Sequence, residues 1–203
     1  MSEGIEYLAV AAGIGYALLA VRRNRWAWVF GGVSSALLAW LAARAALPLQ
    51  SALQALYVVM AVYGFVQWSD RRDPVEKVEA VEESQTVAGG TPSRAIARWP
   101  LRVHIVAGAG IAVASLVLSP ALAESTGASW PRLDAAVTLA SLLATWMTTR
   151  SVLENWLYWF AVNAASIFLY GTQGLYFVAG LYVVYFIIAI VGWRQWLAEY
   201  RRP

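Results

Sequence analysis

The chain contains no cysteine, one histidine and one lysine, and charged residues make up only 13% of its 203 positions. Without cysteine there are no disulfides and no thiolate metal sites, and His104 alone cannot build a metal centre. A soluble domain carries about a quarter charged residues, so this deficit excludes an ordinary water-soluble globule. No Gly-x-x-x-x-Gly-Lys-Ser/Thr loop occurs, which excludes ATP hydrolysis by that machinery. Lys77 lies in a polar stretch, so a retinal-type receptor would have no lysine within a span for its Schiff base. A different seven-helix receptor, or a membrane scaffold whose aromatics serve only packing and belts, is the rival class to a carrier.

What the chain has in excess is apolar. Hydrophobic residues reach 60%, mean hydropathy is +0.57, and there are eleven tryptophans and ten tyrosines. The apolar runs predict seven helices at about 4–22, 27–46, 51–69, 101–119, 133–150, 155–171 and 175–196. Each is near the ~20 residues needed to cross the hydrocarbon core. The first span has no basic segment ahead of it and reads as a retained span, not a cleaved signal. Thirteen of the fifteen basic residues fall in loops on one side, against Arg44 and Arg132 on the other. By the positive-inside rule the N-terminus is outside and the C-terminus cytoplasmic. The pI of 9.3 therefore reports topology and gives no reason to expect nucleic acid as a partner.

Residues 70–100 are polar and mixed in charge, with Gly89-Gly90-Thr91-Pro92-Ser93 near their end. They read as a cytoplasmic linker that cannot bury enough apolar surface to fold alone. The organisation expected is a first three-helix repeat (1–69), the linker (70–100), a connecting transmembrane helix (101–119) and a second three-helix repeat with a short tail (120–203). Three-helix units are odd, so an intervening helix gives both the same direction. The fold class is an all-α integral membrane protein, seven transmembrane helices in a 3+1+3 arrangement with parallel three-helix repeats. Leu56-Tyr57-Val58-Val59 followed by Trp68 matches Leu181-Tyr182-Val183-Val184 followed by Trp193 at equal spacing, and this fixes the expected register. In that register Tyr63 corresponds to Ile188. The Asn163 position has Gly32 as its expected counterpart.

The residues able to carry work are aromatic and amide. Trp156, Trp159 and Asn163 share one face of the sixth span, and Asn163 lies ~12 Å along the helix from Asn155, near the midplane. An amide there is costly unless it has a partner, either a substrate or another helix. Gln54, Tyr57, Ala61, Gly64 and Trp68 form a stripe on the third span, with Tyr63 offset from it. Tyr182, Tyr185, Ala189, Trp193 and Trp196 form the matching face of the seventh, with Gln173 and Tyr176 at the preceding outer turn. Aromatic pairs of this kind suit a flat heterocycle bearing sugar hydroxyls or a positive charge. No ionisable residue falls clearly inside a span, Asp134, Arg150 and Glu154 being at ends, so uncoupled diffusion is the simplest mechanism.

Met147-Thr148-Thr149-Arg150, Glu154-Asn155-Trp156-Leu157, Trp159, Asn163, Gln173-Gly174 and Tyr176 resemble the PnuC family of bacterial vitamin transporters. Gln54, Tyr63-Gly64 and Trp68 are similar to the family's first-half motif, and the resemblance covers all seven spans. It implies a multi-pass protein of the bacterial inner membrane, a homotrimer with a pathway in each protomer, and facilitated diffusion of nicotinamide riboside. A cytoplasmic kinase would then phosphorylate and trap the substrate, without cofactor or metal in the transporter. Carried over residue by residue, the implied substrate contacts are Trp156, Trp159, Asn163, Gln173, Tyr176 and Tyr182, with Gln54, Tyr57, Tyr63 and Trp68 from the first half. Some members have asparagine before the glycine near the end of the seventh span, where this chain has Val191-Gly192. Nicotinamide riboside is the first expectation, and thiamine, then riboflavin, are the alternatives.

Overall fold

A computed structural model describes residues 2–44, 48–69, 96–126 and 130–202. The expected linker lies, over 70–95, outside the described residues, as do Arg71, Arg72, Lys77 and Arg94. The described residues form seven helices: α1 Ser2–Val21, α2 Trp26–Arg44, α3 Pro48–Ser69, α4 Leu101–Thr126, α5 Pro131–Thr149, α6 Asn155–Thr172 and α7 Tyr176–Tyr200. The largest departure from expectation is α4, which runs through Pro120 instead of stopping before it. Proline has no N–H to give to the carbonyl four residues back. The Ser119 hydroxyl donates to that carbonyl, Leu116 O, at 3.2 Å in its place.

Five helices (α1, α2, α3, α4 and α7) are long and apolar enough to cross a membrane by length and composition. Helices α5 and α6 fall short because of Asp134, Thr138, Ser141, Thr145 and Thr148 on the one and Asn155, Asn163 and Ser166 on the other. These polar residues face inward. Helices pack in the order α1, α2, α3, α5, α6, α7 and back to α1, so six of them close a ring. Helix α4 stands outside it, packed on α5, with almost its whole apolar surface exposed.

Two tryptophans stitch the ring along the seams between its halves. Trp68 Nε1, at the end of α3, donates to Thr149 O at the end of α5 (3.2 Å). Trp196 Nε1, near the end of α7, donates to Val21 O at the end of α1 (3.1 Å). The C-terminal ends of α1, α3, α5 and α7 therefore meet at one end of the bundle, and the two three-helix units run parallel. Each bond satisfies a helix-end carbonyl that has no partner within its own helix.

The turns joining α1 to α2 and α5 to α6 are copies of one another at an offset of 128 residues. Arg23 (φ 53°) and Ser151 (φ 55°) both adopt the left-handed conformation that side chains rarely take. The bonds Asn24 N to Leu19 O, Ala27 N to Asn24 O and Trp28 N to Arg25 O recur as Val152 N to Met147 O, Asn155 N to Val152 O and Trp156 N to Leu153 O. The same offset relates Val21 to Thr149, Gly64 to Gly192 and Trp68 to Trp196. This corrects the register read from the doubled Leu-Tyr-Val-Val stretch, whose offset is 125. Tyr57 pairs with Tyr185, not Tyr182; Trp68 with Trp196, not Trp193; and Tyr63 with Val191, not Ile188. Asn163, whose expected counterpart Gly32 stands 131 positions before it, pairs instead with Ser35. A slip of three residues is nearly one helical turn and keeps roughly the same face, so the apolar letters match while the carbonyl and glycine contacts do not.

Both glycines exist to let an indole lie on the backbone. A Cβ on Gly64 would fall 2.4 Å from the Trp28 ring, and one on Gly192 2.6 Å from Trp156. A Cβ on Gly180, in the same helix as Gly192, would meet nothing within 4 Å. Gly64→Ala and Gly192→Ala are expected to cost about 1–3 kcal/mol each through overpacking. Gly180→Ala is expected to leave stability unchanged or slightly raised. Thermal unfolding of the three variants in one detergent measures the contrast.

Candidate functional site

The six-helix ring encloses a cavity of about 340 Å³. Its floor lies at the end where the tryptophans tie the halves together. Trp28 meets Trp68 edge-on (5.3 Å, 87°), Trp156 meets Trp196 the same way (5.5 Å, 86°), and Trp68 and Trp196 touch across the centre (6.5 Å). Trp28 and Trp156 line the cavity, while Trp68 and Trp196 lie behind them. The Nε1 atoms of Trp28 and Trp156 are buried without a hydrogen-bond partner among the described residues, whereas those of the rear pair are used in the seams.

Ile96 joins this aromatic layer from below. Ala97 is strapped to the α5–α6 turn by its N–H to Ser151 O (3.1 Å) and by Leu153 N–H to its own carbonyl (2.9 Å). Arg98 Nε then donates to Glu154 Oε1 at 2.7 Å. That hydrogen bond, and next the carboxylate's charge, hold the Arg98 guanidinium above its ordinary pKa. At the other seam Arg23 pairs with Glu199 and lies over the Trp196 ring (5.6 Å).

Above the floor the walls alternate aromatic and small polar groups. Helices α5 and α6 contribute Thr148, Thr145, Ser141 and Thr138 along one line and Trp156, Trp159, Asn163 and Ser166 along another. Helices α3 and α7 contribute Gln54 and Tyr57, and Tyr182 and Tyr185. Farthest from the floor Tyr170 stacks on Tyr182 (5.2 Å, 12°), with Gln50 and Asp134 beside them. Among the described lining residues Asp134 alone carries a formal charge, and no described side chain pairs with it. It is at a helix end, as the sequence implied, yet it belongs to the cavity wall.

Of the ten residues marked in the sequence, Trp156, Trp159, Asn163, Tyr182, Gln54 and Tyr57 come together around the cavity. The other four lie elsewhere. Trp68 stands behind the floor. Tyr63 stacks on Trp146 (5.4 Å, 10°) under the Arg150 guanidinium, outside the ring. Gln173 donates to Leu169 O at 3.0 Å and finishes α6, and Tyr176 is 76% exposed at the start of α7. Asn155 serves the turn: its Nδ2 donates to Val152 O (2.6 Å) and its Oδ1 accepts from Thr148 (3.2 Å). Val191 is exposed on the outer face of α7, so the departure from the family's asparagine falls outside the cavity. Tyr16, Trp28, Thr145, Asp134 and Tyr170 line the cavity without having been marked. The Thr138, Ser141, Thr145, Thr148 spacing of three and four was the signal that could have found the α5 wall.

Residues 3–198 match the family of nicotinamide mononucleotide transporters. The chain belongs to that family. This agrees with the PnuC resemblance, and it makes the protein a multi-pass membrane transporter of the vitamin class. The riboflavin/roseoflavin transporter RibM of Streptomyces davaonensis is 27% identical over 185 residues, covering 91% of this chain and 80% of that protein. The nicotinamide riboside transporter PnuC of Escherichia coli is 30% identical over 87 residues, covering 43% of this chain and only 36% of that protein. A crystal structure of the vitamin B3 transporter PnuC has a TM-score of 0.69 at 20% identity, covering 98% of this chain and 82% of that one, a likeness of fold. Family members and the structural neighbour are transporters, not enzymes.

Gln54 and Asn163 are buried and line the cavity, and their side-chain amides hydrogen-bond to no described residue. An amide that only faces a cavity contributes nothing to holding the fold. Asn163→Leu and Gln54→Leu are therefore expected to leave the unliganded protein's thermal stability unchanged or raised by up to about 1 kcal/mol. A fall of that size or more in a melting curve would make the amides structural ties.

Proposed function

We propose that this transporter equilibrates nicotinamide riboside across the bacterial inner membrane by facilitated diffusion, through the central cavity, with a cytoplasmic kinase trapping the substrate by phosphorylation. The observation that carries this reading is a cavity with aromatic walls and two side-chain amides, Gln54 and Asn163, without partners among the described residues, where the Asp134 carboxylate is the single formal charge among the described lining. Nicotinamide riboside is a flat cation bearing hydroxyls and a carboxamide. The aromatic faces of Trp156, Trp159, Tyr57 and Tyr182 attract a cationic ring, and the amides satisfy its polar edges. Thiamine, also a flat cation, is the alternative within the same chemistry. The membrane orientation expected is N-terminus outside, because Arg22, Arg23, Arg25, Arg98, Arg150, Arg194, Arg201 and Arg202 gather at the floor end. The floor is then the cytoplasmic gate. The quaternary reading is a homotrimer with one pathway per protomer.

Riboflavin is the second reading, favoured by the breadth of the match to RibM, which spans 91% of this chain. Charge separates the two, since riboflavin is neutral.

Purified protein in liposomes is expected to equilibrate labelled nicotinamide riboside faster than empty liposomes, and an ionophore is expected to leave that flux unchanged. Riboflavin flux without nicotinamide riboside flux would replace the substrate, and flux of neither vitamin nor thiamine would remove the transport reading. Asn163→Leu is expected to weaken nicotinamide riboside binding at least about tenfold. Asp134→Asn is expected to weaken it by about 1 kcal/mol, roughly fivefold, while leaving riboflavin affinity untouched. Calorimetric titration of both ligands reads the difference.

A further inference from the structure

The 128-residue correspondence makes Tyr57 and Tyr185 counterparts across the cavity, and it also pairs Ser141 with Gly13. The contacts follow the same exchange between halves as the seam tryptophans. Tyr57 Oη lies 2.6 Å from Ser141 Oγ. Ser141 already gives its proton to Thr138 O (2.8 Å), so the phenol is the donor and its proton is used inside the protein. Tyr185 reaches toward Gly13 in the equivalent way: a Cβ on Gly13 would fall 2.7 Å from Tyr185 Oη. With glycine there, position 13 offers no hydroxyl to receive the second phenol's proton. Ser34, the other hydroxyl near Gly13, donates to Ala9 O (2.8 Å) and forms no hydrogen bond with Tyr185. Tyr185 lines the cavity and forms no hydrogen bond with a described residue.

We infer that Tyr185 is a substrate-contact residue, and that glycine at position 13 sets its hydroxyl free to donate to, and accept from, a sugar hydroxyl or carboxamide of the ligand. The inference rests on the cavity being the transport site. The two phenols thus differ in what they offer: Tyr57 presents a ring wall and an acceptor, Tyr185 a complete hydroxyl. A duplicated pair has been split by one residue on the opposite helix.

Calorimetric titration of the full chain with nicotinamide riboside tests this. Tyr185→Phe is expected to raise Kd about three- to tenfold, the range of a single neutral hydrogen bond. Gly13→Ser recreates the first half's arrangement and is expected to weaken binding similarly, by occupying or displacing the phenol. In the Tyr185→Phe background the same serine is expected to add no further loss, because no hydroxyl remains to engage. A Tyr185→Phe protein that binds within twofold of a binding wild type overturns the inference and leaves the transport reading intact. Separate, multiplying losses in the double variant also overturn it. A wild type that binds none of nicotinamide riboside, thiamine and riboflavin brings down both. If Gly13→Ser does not fold, Tyr185→Phe alone decides.

Discussion

Everything in this bundle is positioned by two indole N–H groups that reach across from one half to the last carbonyl of a helix in the other. A helix end in an apolar surround leaves carbonyls that water cannot satisfy. Here Thr149 O and Val21 O receive Trp68 and Trp196. Those two bonds draw four helix ends together and set the tryptophans where they meet Trp28 and Trp156 edge-on. The backbone under Trp28 and Trp156 must then be glycine. The floor of the cavity, its closure and the parallel run of the two units all follow from that pair of contacts.

The helices and their order were legible because a run of some twenty apolar residues has few other uses. Six of ten marked residues reached the cavity because aromatic and amide side chains at three/four spacing on a span have one inward face. Tyr63, Gln173 and Tyr176 share the residue types but not the position: one stacks under Arg150, one finishes a helix, and one stands at an exposed helix start. The register of the repeat was illegible for a different reason. It is held by backbone carbonyls and by left-handed turns at Arg23 and Ser151, which do not resemble each other as letters; Gly64 and Gly192, each four residues before its tryptophan, were the matching letters that could have found it. The conspicuous Leu-Tyr-Val-Val echo is an accident of apolar composition. Asp134 was set aside because helix ends usually meet water; the cavity extends far enough outward to include it.

The halves share a frame and divide the labour. All three helices of the first unit and the last helix of the second are apolar enough to span, whereas the polar groups of the cavity gather on α5 and α6, at the expense of those helices' own apolarity. Such helices are stabilised in a membrane by their neighbours, and the closed ring supplies them on both sides. The outlying α4 is the opposite case: nearly all exposed apolar surface, strapped at its start by Ala97 and Arg98 to the α5–α6 turn.

The seam between α1 and α7 also imposes an order on synthesis. Val21 ends α1, and the indole that satisfies its carbonyl belongs to a residue 175 positions later. The partner of Arg23, Glu199, comes later still. The first hairpin therefore waits, with an open helix end, until α7 has been made. The ring closes only when the last helix arrives, so a nascent chain lacking its final turns has the spans but not the enclosure.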